Sequence, residues 1–370
     1  MGTSDLEGFV SEVCGESHLR VEKDLGDGFV RLRSSEAERR QAAQDIRCSE
    51  DIVIEMLRNA RDAHARNIFV SVTREGNERS IVMIDDGDGV PPHLQSAVFE
   101  PRVTSKLDSM HMDKWGVHGR GMALYSISVN ASEARILASG KGLGSAFSIQ
   151  TDLSRLPEKT DQSTFPSFEM DDGGTVKVRG PKNILRTACE FSIESRKSCS
   201  VFLGSATEIA ACLLLYGRAL NVKPVVAGNA EDTAAFTSDL PVCKRIAASS
   251  DPAMLRSFAQ SLGLAMSERS ARRVLDGTIK PLSPLLDQIK VHGLSAACGE
   301  NAPSAFAQAR ACAKRRKLQI ADGDKDVFLD QVMRAYSGIA DAYYLKGDVK
   351  PAFRVGKDAL IITIPVANDD

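Results

Sequence analysis

Residues 55–64 read EMLRNARDAH, and this stretch restricts the fold more than any other. Glu55, Asn59 and Asp62 stand at i, i+4 and i+7, so they share one face of a helix. Ile52, Val53, Met56, Leu57, Ala60 and Ala63 fill most of the remaining circumference. A helix with so little polar surface is covered by other elements on most sides. Its polar stripe is then either an ordinary wet face or one wall of a polar site. The rest of the chain decides between the two.

The helix leads into two strands. IFVSVTR (68–74) and SIVMIDD (80–86) alternate or run apolar, with EGN between them as the turn. Upstream, DGFVRLR (27–33) reads as a short strand and residues 35–48 as a charged helix. Downstream, residues 91–118 read as irregular, GMALYSISVN as a helix, and ARILASG and SAFSIQTD as a strand pair around KGLG. Residues 153–172 are polar and carry Pro157 and Pro166, as a loop or linker would; GGTVKVRG (173–180) is another strand. From about 181 the pattern is mostly helical, and ALIITIPV closes the chain as a last strand. The first half is thus α+β, with helices segregated to one face of a mixed sheet. The expected division is 1–180 and 181–370.

Two glycine-bearing stretches follow the helix. MIDDGDGVP (83–91) ends an apolar strand in two aspartates, then places Gly87 and Gly89 two apart. Glycines at that spacing turn tightly and let the backbone approach a flat ligand. Asp85, at the end of a buried strand, is placed to accept a hydrogen bond from an exocyclic amine; a plain polar turn would look the same. GVHGRGMAL (116–124) sets Gly116, Gly119 and Gly121 ahead of a helix, where free N–H groups and the helix dipole favour an anion. The chain has no GxxxxGK[ST] loop, and this glycine stretch does not directly follow a strand as a dinucleotide fold requires.

Composition excludes several classes. The chain has 370 residues, 43% apolar and 26% charged, with a formal net charge of −2, so as a whole it is not a polyanion binder. Its eight cysteines form no CxxC pair and its six histidines make no cluster with them, which argues against a disulfide framework or a zinc site. Scattered cysteines fit a reducing cytoplasm, and no apolar run approaches the ~18 residues of a membrane span. The acidic N-terminus does not read as a secretory signal.

Three motifs occur in order: ExxxNxxD on a helix, DxGxG after a strand and GxxGxG before a helix. This ordered set resembles the GHKL superfamily of gyrase B subunits, heat-shock chaperones, histidine kinases and MutL. EMLRNARDAHARNIFVSV looks like the first MutL motif, and VFEPRVTSK (98–106) is similar to the segment ahead of the lid in histidine kinases and MutL. GRGMALYSIS lies between the kinase and MutL glycine motifs. GSAFSIQ (144–150) resembles a kinase strand and GGTVKV (173–178) a later MutL one. The resemblance covers roughly residues 46–180, with its motif core at about 46–152.

The resemblance implies a Bergerat-type α/β sandwich that binds ATP with Mg²⁺. Asn59 would ligate the Mg²⁺, Glu55 would orient or deprotonate the attacking water, and Asp62 would support the adenosine side. Asp85 would read the adenine amino group, with Gly87 and Gly89 admitting the base. Residues 99–118 would be a mobile lid. Gly116, Gly119, Arg120 and Gly121 would hold the phosphates, and Lys106 would contact one. Many histidine kinases carry asparagine where this chain has Glu55, so a slow ATPase is the leading expectation. Lid closure would drive a conformational change in the helical second half. The alternatives are a protein kinase acting in trans on a protein partner and a nucleotide-sensing DNA-binding regulator with little turnover; an ATP-dependent homodimer is a further expectation. Met122, Gly119 and Arg102 depart from the relatives' patterns and leave the subfamily open. No phosphoacceptor module is recognisable ahead of the domain; His18, His111 and His118 read as surface or lid residues.

In the second half, residues 254–279 have a helix-turn-helix flavour, with Ala259 and Gly263 near the turn. Arg269, Arg272 and Arg273 would be available to duplex DNA. The turn is about two residues too long for that motif, so a helical hairpin with a solvated basic face competes. KRRK (314–317) reads as a wet surface, and Tyr336, Tyr343 and Tyr344 as helix packing.

Overall fold

The computed structural model describes residues 21–105, 111–113, 116–118, 121–170, 176–225, 237–289, 291–292, 322–343, 345–346, 349, 351–355 and 360–366. Lys106, Gly119, Arg120, His18, Tyr344 and the KRRK cluster lie outside these residues. Two compact units divide the chain, 1–304 and 305–370.

The first unit opens with a hairpin, β1 (Val21–Gly26) and β2 (Phe29–Leu32), followed by α1 (Glu36–Asp45). Ser35 caps α1: its Oγ accepts from Glu38 N–H, and the Glu38 carboxylate accepts from Ser35 N–H. Next comes α2 (Ser49–Asp62), the helix read from EMLRNARDAH. Asp51 accepts from Cys48 N–H at its start, and Ile52, Val53, Met56, Leu57 and Ala60 are buried along it. The strands β3 (Asn67–Glu75) and β4 (Glu78–Asp85) follow as the apolar pattern requires.

Residues 91–121 carry more structure than an irregular segment. β5 (Val103–Thr104) pairs with β2, while β6 (His111–Asp113) and β7 (Gly116–His118) form a small hairpin. Arg102 N–H donates to Gly121 O at 2.9 Å, so a residue near the start of the expected lid, 99–118, is tied to the turn that follows it. α3 (Ala123–Asn130), β8 (Glu133–Ser139) and β9 (Ser145–Asp152) come next. The polar stretch 153–172 ends in β10 (Ser167–Met170), which pairs antiparallel with β11 (Val176–Arg179).

The sequence division at 180 does not coincide with the compact units. After α4 (Ile184–Glu194), β12 (Ser200–Gly204) runs parallel to β3, from Ser200↔Asn67 to Gly204↔Ser71. The main sheet is therefore five-stranded, in the order β12-β3-β4-β9-β8. The chain goes on through α5 (Ala206–Ala219), a 3-10 segment (Val242–Ala248), α6 (Pro252–Ser261), α7 (Glu268–Leu275), α8 (Leu285–Gln288) and β13 (Val291–His292).

Alternate strand residues face opposite layers. Ile68, Val70, Ile81, Met83, Phe147, Ile149 and Val201 pack with Ile52, Met56 and Leu57 of α2 and with Phe191 of α4. This is the mixed sheet with helices expected from the sequence. Phe69 instead stacks on Phe202 and meets the edge of Tyr216 from α5. The far face of the sheet is thus also covered, by the chain after 204. Its turn at Gly263 (φ +79°) fits so closely that a Cβ there would lie 2.6 Å from Leu137 Cδ1 and 3.0 Å from Val82 Cγ2. β3 and β4 run buried on consecutive residues because both their faces are packed.

The second unit holds α9 (Asp322–Tyr343) and the hairpin β14 (Ala352–Val355) and β15 (Leu360–Thr363). Phe328 of α9 meets Phe353 edge to face within it.

Candidate functional site

A cavity of about 1010 Å³ opens between α2, the end of β4 and the start of α3. Glu55, Asn59 and Asp62 line it from α2, Asp85 and Gly89 from the β4 end, and Gly121 from the turn before α3. The helix spacing that brought the first three together in sequence places them on this one wall.

The β4 end is built from close backbone packing. Asp85 is buried, and its Oδ1 accepts from Gly87 N–H at 2.9 Å. A Cβ on Gly87 would fall 2.5 Å from Ala63 O, at the end of α2. Gly89 has φ +71°, and a Cβ there would lie 2.0 Å from Gly140 O in the β8–β9 turn. Asp88 N–H donates to Ala63 O at 2.8 Å and its carbonyl accepts from Gly142 N–H at 2.6 Å. The glycines thus lock three segments together beside Asp85.

Asp86, one residue on, turns the other way. Its carboxylate accepts from Arg66 and Asn67 N–H at 2.7 Å each, and from Asn67 Nδ2 at 2.8 Å. Tyr216 of α5 donates its hydroxyl to Asp86 Oδ2 at 3.0 Å. Burial raises the Tyr216 hydroxyl pKa, and the Asp86 charge adds to the shift. Cys243 is fully buried behind this pair, and burial pushes its thiol up, with Asp86 and Asp85 contributing.

At the opposite end, Met122 caps α3 without a side-chain hydrogen bond, and Gly121, Met122 and Ala123 line the cavity. An uncapped first turn offers N–H groups to an anion. Gly121 has φ +69°, and a Cβ there would lie 3.1 Å from Val103 O. Gly116 lies in β7, within the small hairpin.

Sequence reasoning missed Arg58. It is buried on α2, lines the cavity, and places Nη1 2.5 Å from Glu55 Oε1. Its i+3 relation to Glu55 was the available signal. His64 was also missed: it takes φ +59° just after α2, lines the cavity and puts Nδ1 2.7 Å from Asp88 Oδ2. Among the described residues, no group of three His, Cys, Asp or Glu side chains could by itself hold a metal.

A polar helix wall, a buried aspartate at a strand end and a glycine turn before a second helix define a nucleotide-binding domain of the α/β-sandwich type. Residues 46–174 match the family described as histidine kinase-, DNA gyrase B-, and HSP90-like ATPase. The chain therefore carries a GHKL-type ATP-binding domain with MutL-like features. It is 34% identical over 108 residues to the DNA mismatch repair protein MutL of Clostridium perfringens, covering 28% of this chain and 15% of that protein. The MutL of Thermus aquaticus is 42% identical over 79 residues, or 21% and 14% of the two chains. That of Parabacteroides distasonis is 36% identical over 112 residues, or 29% and 18%. The matched segment spans less than a fifth of each of these relatives. No helix among the described residues is long and apolar enough to cross a membrane.

Proposed function

We propose that the chain binds ATP with Mg²⁺ in this cavity and hydrolyses it slowly. The observation that carries the reading is the convergence of Glu55, Asn59 and Asp62 with Asp85 on one cavity of nucleotide size. Asp85 accepts from the adenine amino group, and Gly87 and Gly89 give the base its room. Asp62 supports the adenosine side. The uncapped start of α3, with Gly121, holds phosphate oxygens; by the family resemblance, Gly116, Gly119, Arg120 and Lys106 would also contact phosphate. The described residues fit Mg²⁺ only with help from the nucleotide: Asn59 would hold it through its side-chain oxygen, and the remaining ligands would have to come from outside the protein. Bound Mg²⁺ would neutralise phosphate charge. Glu55 then orients or deprotonates the attacking water, held in place by Arg58. Most of the catalysis is positioning and charge stabilisation.

Closure of the segment 99–118 couples nucleotide to the rest of the chain. The β3–β12 pairing and the Asp86–Tyr216 bond supply a physical path from the site to α5. The test is a binding and turnover assay on the full chain, with free phosphate and phosphoprotein measured separately. Phosphate release at a rate that depends on Glu55 supports the reading. Binding without release, together with labelling of a protein partner, makes the chain a kinase instead.

A second reading adds duplex DNA. Arg269, Arg272 and Arg273 are all exposed on α7, while Ala271 and Val274 are buried. Residues 262–267 separate α6 from α7, longer than the three or four residues of a helix-turn-helix turn. The arginines therefore serve phosphate contacts better than base readout.

A further inference from the structure

The β1–β2 hairpin precedes the matched segment 46–174, yet it reaches the same cavity. Asp27, Gly28 and Phe29 line the cavity, and so does Lys141 from the β8–β9 turn. The hairpin tip is an unusual turn: Gly26, Asp27 and Gly28 have φ of +82°, +51° and +82°. Two glycines adopt this region freely, but an aspartate does so at some cost and needs a compensating contact. Asp27 has one. Its Oδ1 accepts from Lys141 Nζ at 2.7 Å, and its Oδ2 lies 3.8 Å from His93 Nε2.

The two ends of this contact belong to different parts of the site. Lys141 sits between Gly140 and Gly142, the residues that crowd Gly89 and bond Asp88 beside the base end. The hairpin's inner strand pairs with β5, with Val30 opposite Thr104 and Arg31 opposite Val103. Leu32 N–H donates to Arg102 O at 3.0 Å, and Arg102 N–H in turn reaches Gly121 O. Phe29 and Leu25 pack on the small apolar cluster of Val90, Leu94, Val98 and Val103. The hairpin therefore spans from the base of the lid to the glycine loop of the base end, and its only charged fastening there among the described residues is Asp27 with Lys141 and His93.

We propose that the β1–β2 hairpin is the outer wall of the nucleotide site, and that the Asp27–Lys141 ion pair fastens it across the base end of the cavity and sets how fast a bound nucleotide leaves. The inference rests on the proposed reading of the cavity as the ATP site. The hydrogen bond from Lys141, with its charge, also holds the Asp27 carboxyl below its usual range. Lys141 is 73% exposed along its side chain, which makes the fastening a weak one that can open without unfolding the domain.

The experiment follows displacement of a fluorescent ATP analogue from the full chain, with Mg²⁺, by stopped flow. Asp27→Asn and Lys141→Met are each expected to speed release about fivefold, the limit an exposed pair supports, with little change in melting temperature. The double variant should release no faster than either single one, because both remove the same contact. The charge-exchanged variant Asp27→Lys/Lys141→Asp should return the rate toward wild type. Single variants within twofold of the wild-type rate, or single effects that multiply in the double variant, overturn the inference while leaving the ATP site intact. A wild-type chain that binds no analogue overturns the site reading and the wall with it.

Discussion

Arg58 Nη1 lies 2.5 Å from Glu55 Oε1, one helical turn apart on the same wall of the cavity. The carboxylate proposed to act on water is thus held by a guanidinium that is itself buried. Glu55→Gln keeps the shape and an acceptor for Arg58 but removes the base. Mg·ATP affinity is expected to stay near wild type while turnover falls by about 10²-fold or more. Asn59→Ala should instead lose Mg·ATP binding, since it removes the one side-chain oxygen proposed for the metal. A Glu55→Gln chain with wild-type phosphate release would remove Glu55 from catalysis.

Arg58→Met breaks the pair from the other side. The Arg58 side chain is only 4% exposed and that of Glu55 22%, so the variant loses a largely buried, charge-assisted hydrogen bond. A loss of about 2 kcal/mol is expected, read as a lower urea midpoint. A midpoint equal to wild type would mean that the pair adds nothing to stability.

Asp85→Asn keeps a carbonyl oxygen for Gly87 N–H, so the turn should survive. ATP affinity should fall tenfold or more, because the buried acceptor proposed for the base edge becomes a donor. Calorimetry decides: unchanged affinity in a folded variant takes Asp85 out of base recognition.

Gly89→Ala pairs a left-handed φ of +71°, costly for a residue with a Cβ, with a contact of 2.0 Å to Gly140 O. Both penalties fall on backbone atoms that cannot swing aside. The variant should lose about 3 kcal/mol or more of stability, with nucleotide binding lost alongside. A melting temperature within a degree of wild type would contradict the packing of the glycine loop.

Alkaline pH should weaken the fold. Burial pushes the Cys189 and Cys199 thiols from an ordinary 9.0 up to about 12. The native state keeps these protons at a pH where the unfolded chain releases them. Their stabilisation is therefore complete below about pH 9 and is lost as pH rises toward 12. Denaturant midpoints should fall steadily from pH 9 to 11, and Cys199→Ala should flatten that slope. A slope that is the same in wild type and variant would rule out a contribution from this thiol.

The basic face of α7 gives a separate test. Wild type should bind duplex DNA at low salt, and the triple alanine variant of Arg269, Arg272 and Arg273 should bind more weakly with a flatter salt dependence. No binding by wild type at low salt leaves α6 and α7 as a plain helical hairpin.

The helix at 49–62 and the strands through Asp85 were legible because their apolar periods are long and uninterrupted. Asp85, Gly87 and Gly89 were legible from order along the chain. The covered far face was not read, although the unbroken IVMI run of β4 already implied packing on both sides. β12, a five-residue strand between helices, carries too little period to be told from helix. β5, β6, β7 and β10 have two to four residues each and vanish into polar surroundings. The Asp27–Lys141 contact left no trace, since no local pattern links a hairpin tip to a distant turn.

The parallel pairing of β12 with β3 has a consequence for synthesis on the ribosome. The three ordered motifs proposed to bind nucleotide have emerged by Gly121, yet β3 stays an open edge until residues 200–204 arrive. At ~5–20 residues per second, that leaves the nascent sheet uncovered for several seconds. Phe69 on the far face meets Phe202 with that strand and waits longer still for Tyr216. Whatever shields nascent chains in the cell must hold this edge and this face over that interval, and a stop codon placed between the last site motif and β12 would release a product with every site motif and an unfinished sheet.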